Sequence, residues 1–174
     1  MNEGILIRFD SPAEFLSHAQ ALEQELAQRF EEMSSCLETH NNLPASRLFG
    51  RLSRYAENHV AQLSRQAGEM EMPKVAPWEY QWLDITVTEH CMEDAHYLMT
   101  GQQALELALR MERASRRFYL LTLEGPSVKT VKVLADSILA MKEAHLRLLN
   151  RWLEQLTEEQ DFPLEDLDPP NIPE

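Results

Sequence analysis

The chain has 174 residues, with 29 acidic against 16 basic side chains and a formal net charge of −13. That length supports one domain with a core of its own, needing neither metal nor disulfides for stability. The acidic balance argues against nucleic acid and against anionic membranes as partners, since both attract basic surfaces.

Two cysteines, Cys36 and Cys91, lie far apart and form no CxxC or finger pattern, which fits a reduced compartment. The N-terminal MNEGILIRFDSP has no basic region followed by a long apolar core, so no signal peptide is expected. No apolar run reaches membrane-spanning length. A cytoplasmic protein is the expectation.

Residues 1–10 read as a short extended arm. Ser11-Pro12-Ala13-Glu14 is a helix start: a serine cap, proline at the first position and glutamate three after the serine. The first helix is expected over 12–37. Phe15, Ala19, Leu22, Leu26, Phe30, Met33 and Leu37 recur at three and four, and Glu23 lies beside that stripe. His40 to Pro44 reads as a turn. The second helix is expected over 45–67, with Leu48, Leu52, Tyr55, Ala56 and Leu63 on one face and His59 at its centre. Glu57 points the other way.

Residues 68–99 carry Pro73, Pro77 and the cluster Trp78, Tyr80, Trp82. Prolines break regular structure, and the stretch is too long for a hairpin loop. It fits a crossover along a bundle, with a short helix in part of 84–97. Trp78 and Trp82 are expected to cap a bundle end rather than to form a cofactor platform. His90, Cys91, Glu93 and His96 are a weak metal candidate, because only Glu93 and His96 have helical spacing.

The third helix is expected over 100–123, through QQALELALRMERASRRFYLLTL. Arg110, Arg113 and Arg117 fall on one side with Glu106. Leu105, Ala108, Ser115 and Tyr119 fall on the other, and Glu112 sits near the middle of that apolar side. The basic run at 113–117 reads as a solvated face. Gly125-Pro126-Ser127 ends this helix, and a fourth is expected over 128–156. Leu134, Ile138, Met141, Leu148, Leu149, Trp152 and Leu156 surround His145, with Lys142 at the edge of the arc and Glu143 facing away. The methionines, Met111 and Met141 among them, read as core filler. The tail 157–174 is acidic and proline-rich and is expected to be extended, packed over the bundle or against a partner, or partly disordered.

The chain contains an internal echo. A helix with an inward glutamate (Glu23, then Glu112) precedes a helix with a central histidine (His59, then His145). Two such hairpins joined by a crossover make an all-α four-helix bundle with approximate two-fold symmetry.

A buried carboxylate is costly unless something pairs with it. Glu23, His59, Glu112 and His145 supply one polar group from each helix and are a plausible ligand set for a metal ion. A dinuclear carboxylate site needs a Glu-x-x-His pair on each of two helices. Here Ala56 precedes His59 by three, and Lys142 precedes His145 by three. An ammonium near Glu112 or Glu23 compensates the buried charge and repels a divalent ion. The favoured reading is a metal-free polar core. A mononuclear site on the four residues and an active dinuclear centre stand as alternatives. A small-ligand pocket between the helices is a third.

The segments ALEQELAQRFEEM (21–33), LFGRLSRYAENHVAQL (48–63), HYLMTGQQALELALRMERASRRFY (96–119) and LADSILAMKEAHLRLLNRWL (134–153) resemble the core helices of rubrerythrin-like proteins of the ferritin-like superfamily. The resemblance covers most of 11–156. It implies a ferritin-like four-helix bundle with a long crossover between helices two and three. No CxxC pair stands for a rubredoxin domain. The resemblance implies a carboxylate-bridged diiron centre for peroxide or oxygen chemistry, with Glu23, His59, Glu112 and His145 at metal-ligand positions. Ala56 and Lys142 stand where the family has bridging glutamates. The expectation is therefore a protein with an impaired dinuclear site, acting as a non-catalytic structural or interaction module and forming a homodimer. The alternative is an oxidoreductase that binds iron or manganese through altered ligands.

Overall fold

The computed structural model describes residues 5–83 and 97–156. Within them the architecture is all-helical, a four-helix bundle. The helices are α1 (Pro12–Thr39), α2 (Leu43–Ala67), α3 (Gly101–Glu124) and α4 (Lys129–Gln155). A single 3-10 turn, Pro77–Glu79, interrupts the segment after α2. Among the described residues, no helix is long and apolar enough to cross a membrane. The expected short helix in 84–97, the His90, Cys91, Glu93 and His96 cluster and the tail 157–174 lie outside the described residues, save Tyr97, which is in a turn.

α1 and α3 begin where side chains satisfy free backbone donors, whereas α2 and α4 start without a side-chain cap. Ser11 Oγ accepts from the Glu14 N–H at 3.2 Å, with Pro12 in the first turn. Thr100 and Gln103 form a reciprocal box: Thr100 Oγ1 accepts from the Gln103 N–H, and Gln103 Oε1 accepts from the Thr100 N–H. The second helix starts at Leu43, two residues before the expected Ala45. Pro44 is the reason: in the first turn its missing N–H costs nothing, so it starts this helix instead of ending the turn. Asn41 turns the chain between α1 and α2 at φ 59°, a left-handed conformation that asparagine tolerates. Asn42 Nδ2 then donates to the carbonyls of Met99 and Tyr97, tying this turn to the entry of α3.

α1 packs chiefly on α2, and α3 on α4. The apolar core falls into two groups. One holds Leu26, Phe30, Phe49, Leu105, Met111 and Trp152. The other holds Phe9, Phe15, Leu22, Phe118, Val131 and Ile138. Between them the inward sites of all four helices are polar.

The N-terminal arm is more than an extended lead-in, because Ile7 and Phe9 are fully buried. The Phe9 N–H donates to Ser127 Oγ, and the Val128 N–H donates to the Phe9 carbonyl. Gly125 permits this approach: a Cβ there would lie 2.1 Å from the Ile7 carbonyl oxygen. The paired tryptophan cap is corrected. Trp82 is buried, stacks on Tyr80 and donates from Nε1 to the His18 carbonyl, whereas Trp78 is 80% exposed. Trp78 belongs to the 3-10 turn and stands in solvent.

Candidate functional site

Glu23 lies on α1 between Leu22 of one apolar group and Leu26 of the other. His59, Glu112 and the pair Lys142 and His145 occupy the matching level of α2, α3 and α4. Lys142 and His145 share a face because they are three residues apart. The structure brings all four sequence-selected residues together, with Lys142 at their centre. Glu23 and Lys142 have no exposed surface, and Glu112 has 1%.

The contacts repeat in each hairpin. His59 Nδ1 lies 3.2 Å from Glu23 Oε2, and His145 Nδ1 lies 3.5 Å from Glu112 Oε1. The two imidazoles meet edge to face at 6.4 Å. Lys142 breaks the symmetry. Its Nζ donates to Glu112 Oε2 at 3.1 Å within its own half and to Glu23 Oε2 at 2.9 Å across the bundle. The matching site on α2 is Ala56, which is buried and apolar. Tyr119 OH donates to Glu23 Oε1 at 2.8 Å, so both oxygens of that carboxylate are engaged.

Two residues differ from the sequence reading. Lys142 was expected at the edge of its arc but lies in the middle of the core, because its long stem carries Nζ between the acids. Tyr119 was read only as part of an apolar side. Its position seven residues after Glu112, on the same face, was the available signal for its hydroxyl. Glu57 is exposed, and Glu143 is half-buried and paired with Arg116, so neither reaches the cluster.

Burial alone pushes both carboxyls up. For Glu23 the Lys142 ammonium and His59 together outweigh it, and its pKa falls below the ordinary 4.5. Lys142 and His145 do the same for Glu112, which is held far below that range. Burial pulls Lys142 down, but Glu112 and Glu23 raise it above 10.5. The three groups therefore stay charged. Burial and the charge of Glu23 push the Tyr119 hydroxyl well above 10, fixing it as a neutral donor.

The residues do not fit a pair of metal ions. Such a pair takes four carboxylates, two of them bridging. Two are present, and the oxygens that face each other are held by an ammonium. Among the described residues, no group of three or more His, Cys, Asp or Glu side chains is arranged to hold a metal ion.

Neither a protein-family model nor a curated protein matches the chain. Among solved structures it resembles the crystal structure of an uncharacterized conserved protein from Magnetospirillum magnetotacticum MS-1. The two are 31% identical, with a TM-score of 0.65, over 85% of this chain and 97% of that one. The chain belongs to that protein's family. In this member of the family, the middle of the bundle is a buried set of charged groups, in which neither ring nitrogen of His145 makes a hydrogen bond among the described residues. None of the lining residues of the surface grooves at the starts of α1 and α3 belongs to it.

Proposed function

We propose that this chain is a ferritin-like bundle related to the rubrerythrins, in which an ammonium group replaces the metal pair. It works as a non-catalytic structural or interaction module, as a homodimer. The observation that carries this reading is the position of Lys142 Nζ, hydrogen-bonded to both Glu23 and Glu112. A lysine there does two things at once. It neutralises carboxylates that a metal would otherwise neutralise, and it repels a cation that approaches them. The buried, apolar Ala56 at the matching position of the other hairpin adds to this, since it supplies no second bridging carboxylate.

The test is elemental analysis of protein expressed with iron and manganese supplied, run alongside a mass measurement by size exclusion. The expected result is a metal content far below one ion per chain, in a particle of twice the chain mass. Near-stoichiometric iron or manganese would overturn the reading in favour of a metal-binding oxidoreductase with altered ligands.

A further inference from the structure

A groove of about 460 Å³ runs along the first turns of α3 to the end of α4. Met99, Leu107, Leu109 and Leu153 give it apolar walls, and Arg110 and Arg113 edge it. Glu106 is the one acid among its lining residues, so its lining is net positive on a chain of net charge −13. Arg113 donates to Asn150 Oδ1 at 3.2 Å, which uses one of the five N–H donors of a guanidinium and holds the group in place.

We propose that this groove is the docking site of the chain's own C-terminal segment, residues 157–174. Three features select that occupant. The first is origin: Leu153 is a wall of the groove and lies on the last turn of α4, just before the segment begins. The second is charge. The 18 residues TEEQDFPLEDLDPPNIPE hold seven acids and no base, which complements an arginine-edged surface. The same sequence offers Phe162, Leu164 and Leu167 to the apolar walls. The third is conformation and reach. Four prolines from Pro163 onward disfavour a helix and favour an extended ligand that gives up little entropy on docking. From Gln103 to Arg113 the groove spans about 15 Å of helix, and 18 extended residues reach about 60 Å.

The test uses the full chain with a nitroxide at Asn171→Cys, on a Cys36→Ser, Cys91→Ser background. The readout is the methyl NMR signals of Met99, Leu107, Leu109 and Leu153. Docking predicts that these signals lose most of their intensity. It also predicts that Arg110→Glu with Arg113→Glu restores them while methyls on α1 stay unchanged. Equal intensities with and without the charge reversal would overturn the proposal. Broadening that arises only when labelled and unlabelled chains are mixed would also overturn it, because the segment would then be docking on a second copy.

Discussion

Lys142 Nζ donates to Glu23 Oε2 at 2.9 Å, a contact that joins α4 to α1 across the bundle. The same nitrogen holds Glu112 of α3, so one side chain ties three helices together. Replacing it with an apolar residue of similar length leaves two buried carboxylates without their cation. Lys142→Met is expected to lower the unfolding free energy by about 3–5 kcal/mol, measured by denaturant titration. Adding Glu23→Gln and Glu112→Gln in the same chain is expected to recover part of that loss. Full additivity of the three changes would argue that the groups act independently.

Tyr119→Phe keeps the ring and its packing and removes only the donor to Glu23 Oε1. A hydrogen bond to a buried charge contributes about 1.5–3 kcal/mol, and an equilibrium unfolding experiment should show a loss of that size. A change near zero would mean that Glu23 draws its stability from Lys142 and His59 alone.

Acid should dissolve the cluster. Glu23 and Glu112 have folded pKa values below the ordinary 4.5. Their contribution is therefore complete above about pH 4.5 and is lost as pH falls toward their folded values, where the unfolded chain binds more protons. Thermal melts below pH 4.5 should show this decline, and Glu112→Gln should flatten it.

His18 produces a second pH dependence in a different window. Burial lowers its pKa from 6.5 to about 4, against an opposing pull from Glu79. Its Nδ1 accepts from the Gln81 N–H, which also favours the neutral ring. Below pH 6.5 the unfolded chain takes up a proton that the folded imidazole refuses, so this contribution is lost between about 6.5 and 4. His18→Asn keeps an acceptor for Gln81 without titrating. Melting temperatures of that variant should lose the slope seen between pH 6.5 and 4.5.

Gly125→Ala is expected to displace the N-terminal arm, since the new Cβ would meet the Ile7 carbonyl 2.1 Å away and the Leu121 carbonyl 2.9 Å away. Both obstacles are backbone, so the arm must move. The Val128 amide, which donates to Phe9, should then lose its protection from hydrogen exchange while the amides of mid-α3 keep theirs.

The helices were legible because their apolar residues recur at three and four and their caps are local. Glu23, His59, Glu112 and His145 were legible for the same reason: a polar residue in an apolar arc stands out within one helix. Lys142 was only partly legible, since its stem and charged end belong to different environments and the wheel places only the Cα. The burial of Ile7 and Phe9 depends on Gly125 and Ser127, more than a hundred residues away, and no local pattern carries that pairing. Trp78 and Trp82 look equivalent in sequence. Only the packing of Trp82 against Tyr80 and the carbonyl of His18 separates them.

The central claim is that Lys142, and not a metal, holds Glu23 and Glu112 together. Anything that binds the folded state alone raises the melting temperature, and the rise grows with the logarithm of its free concentration once that exceeds the dissociation constant. The most direct measurement compares melting temperatures in a chelator with those in excess Fe(II) under anaerobic conditions, or in excess Mn(II). Superimposable melts are the predicted result. A rise of several degrees with either ion, abolished in Glu23→Gln with Glu112→Gln, would contradict the account.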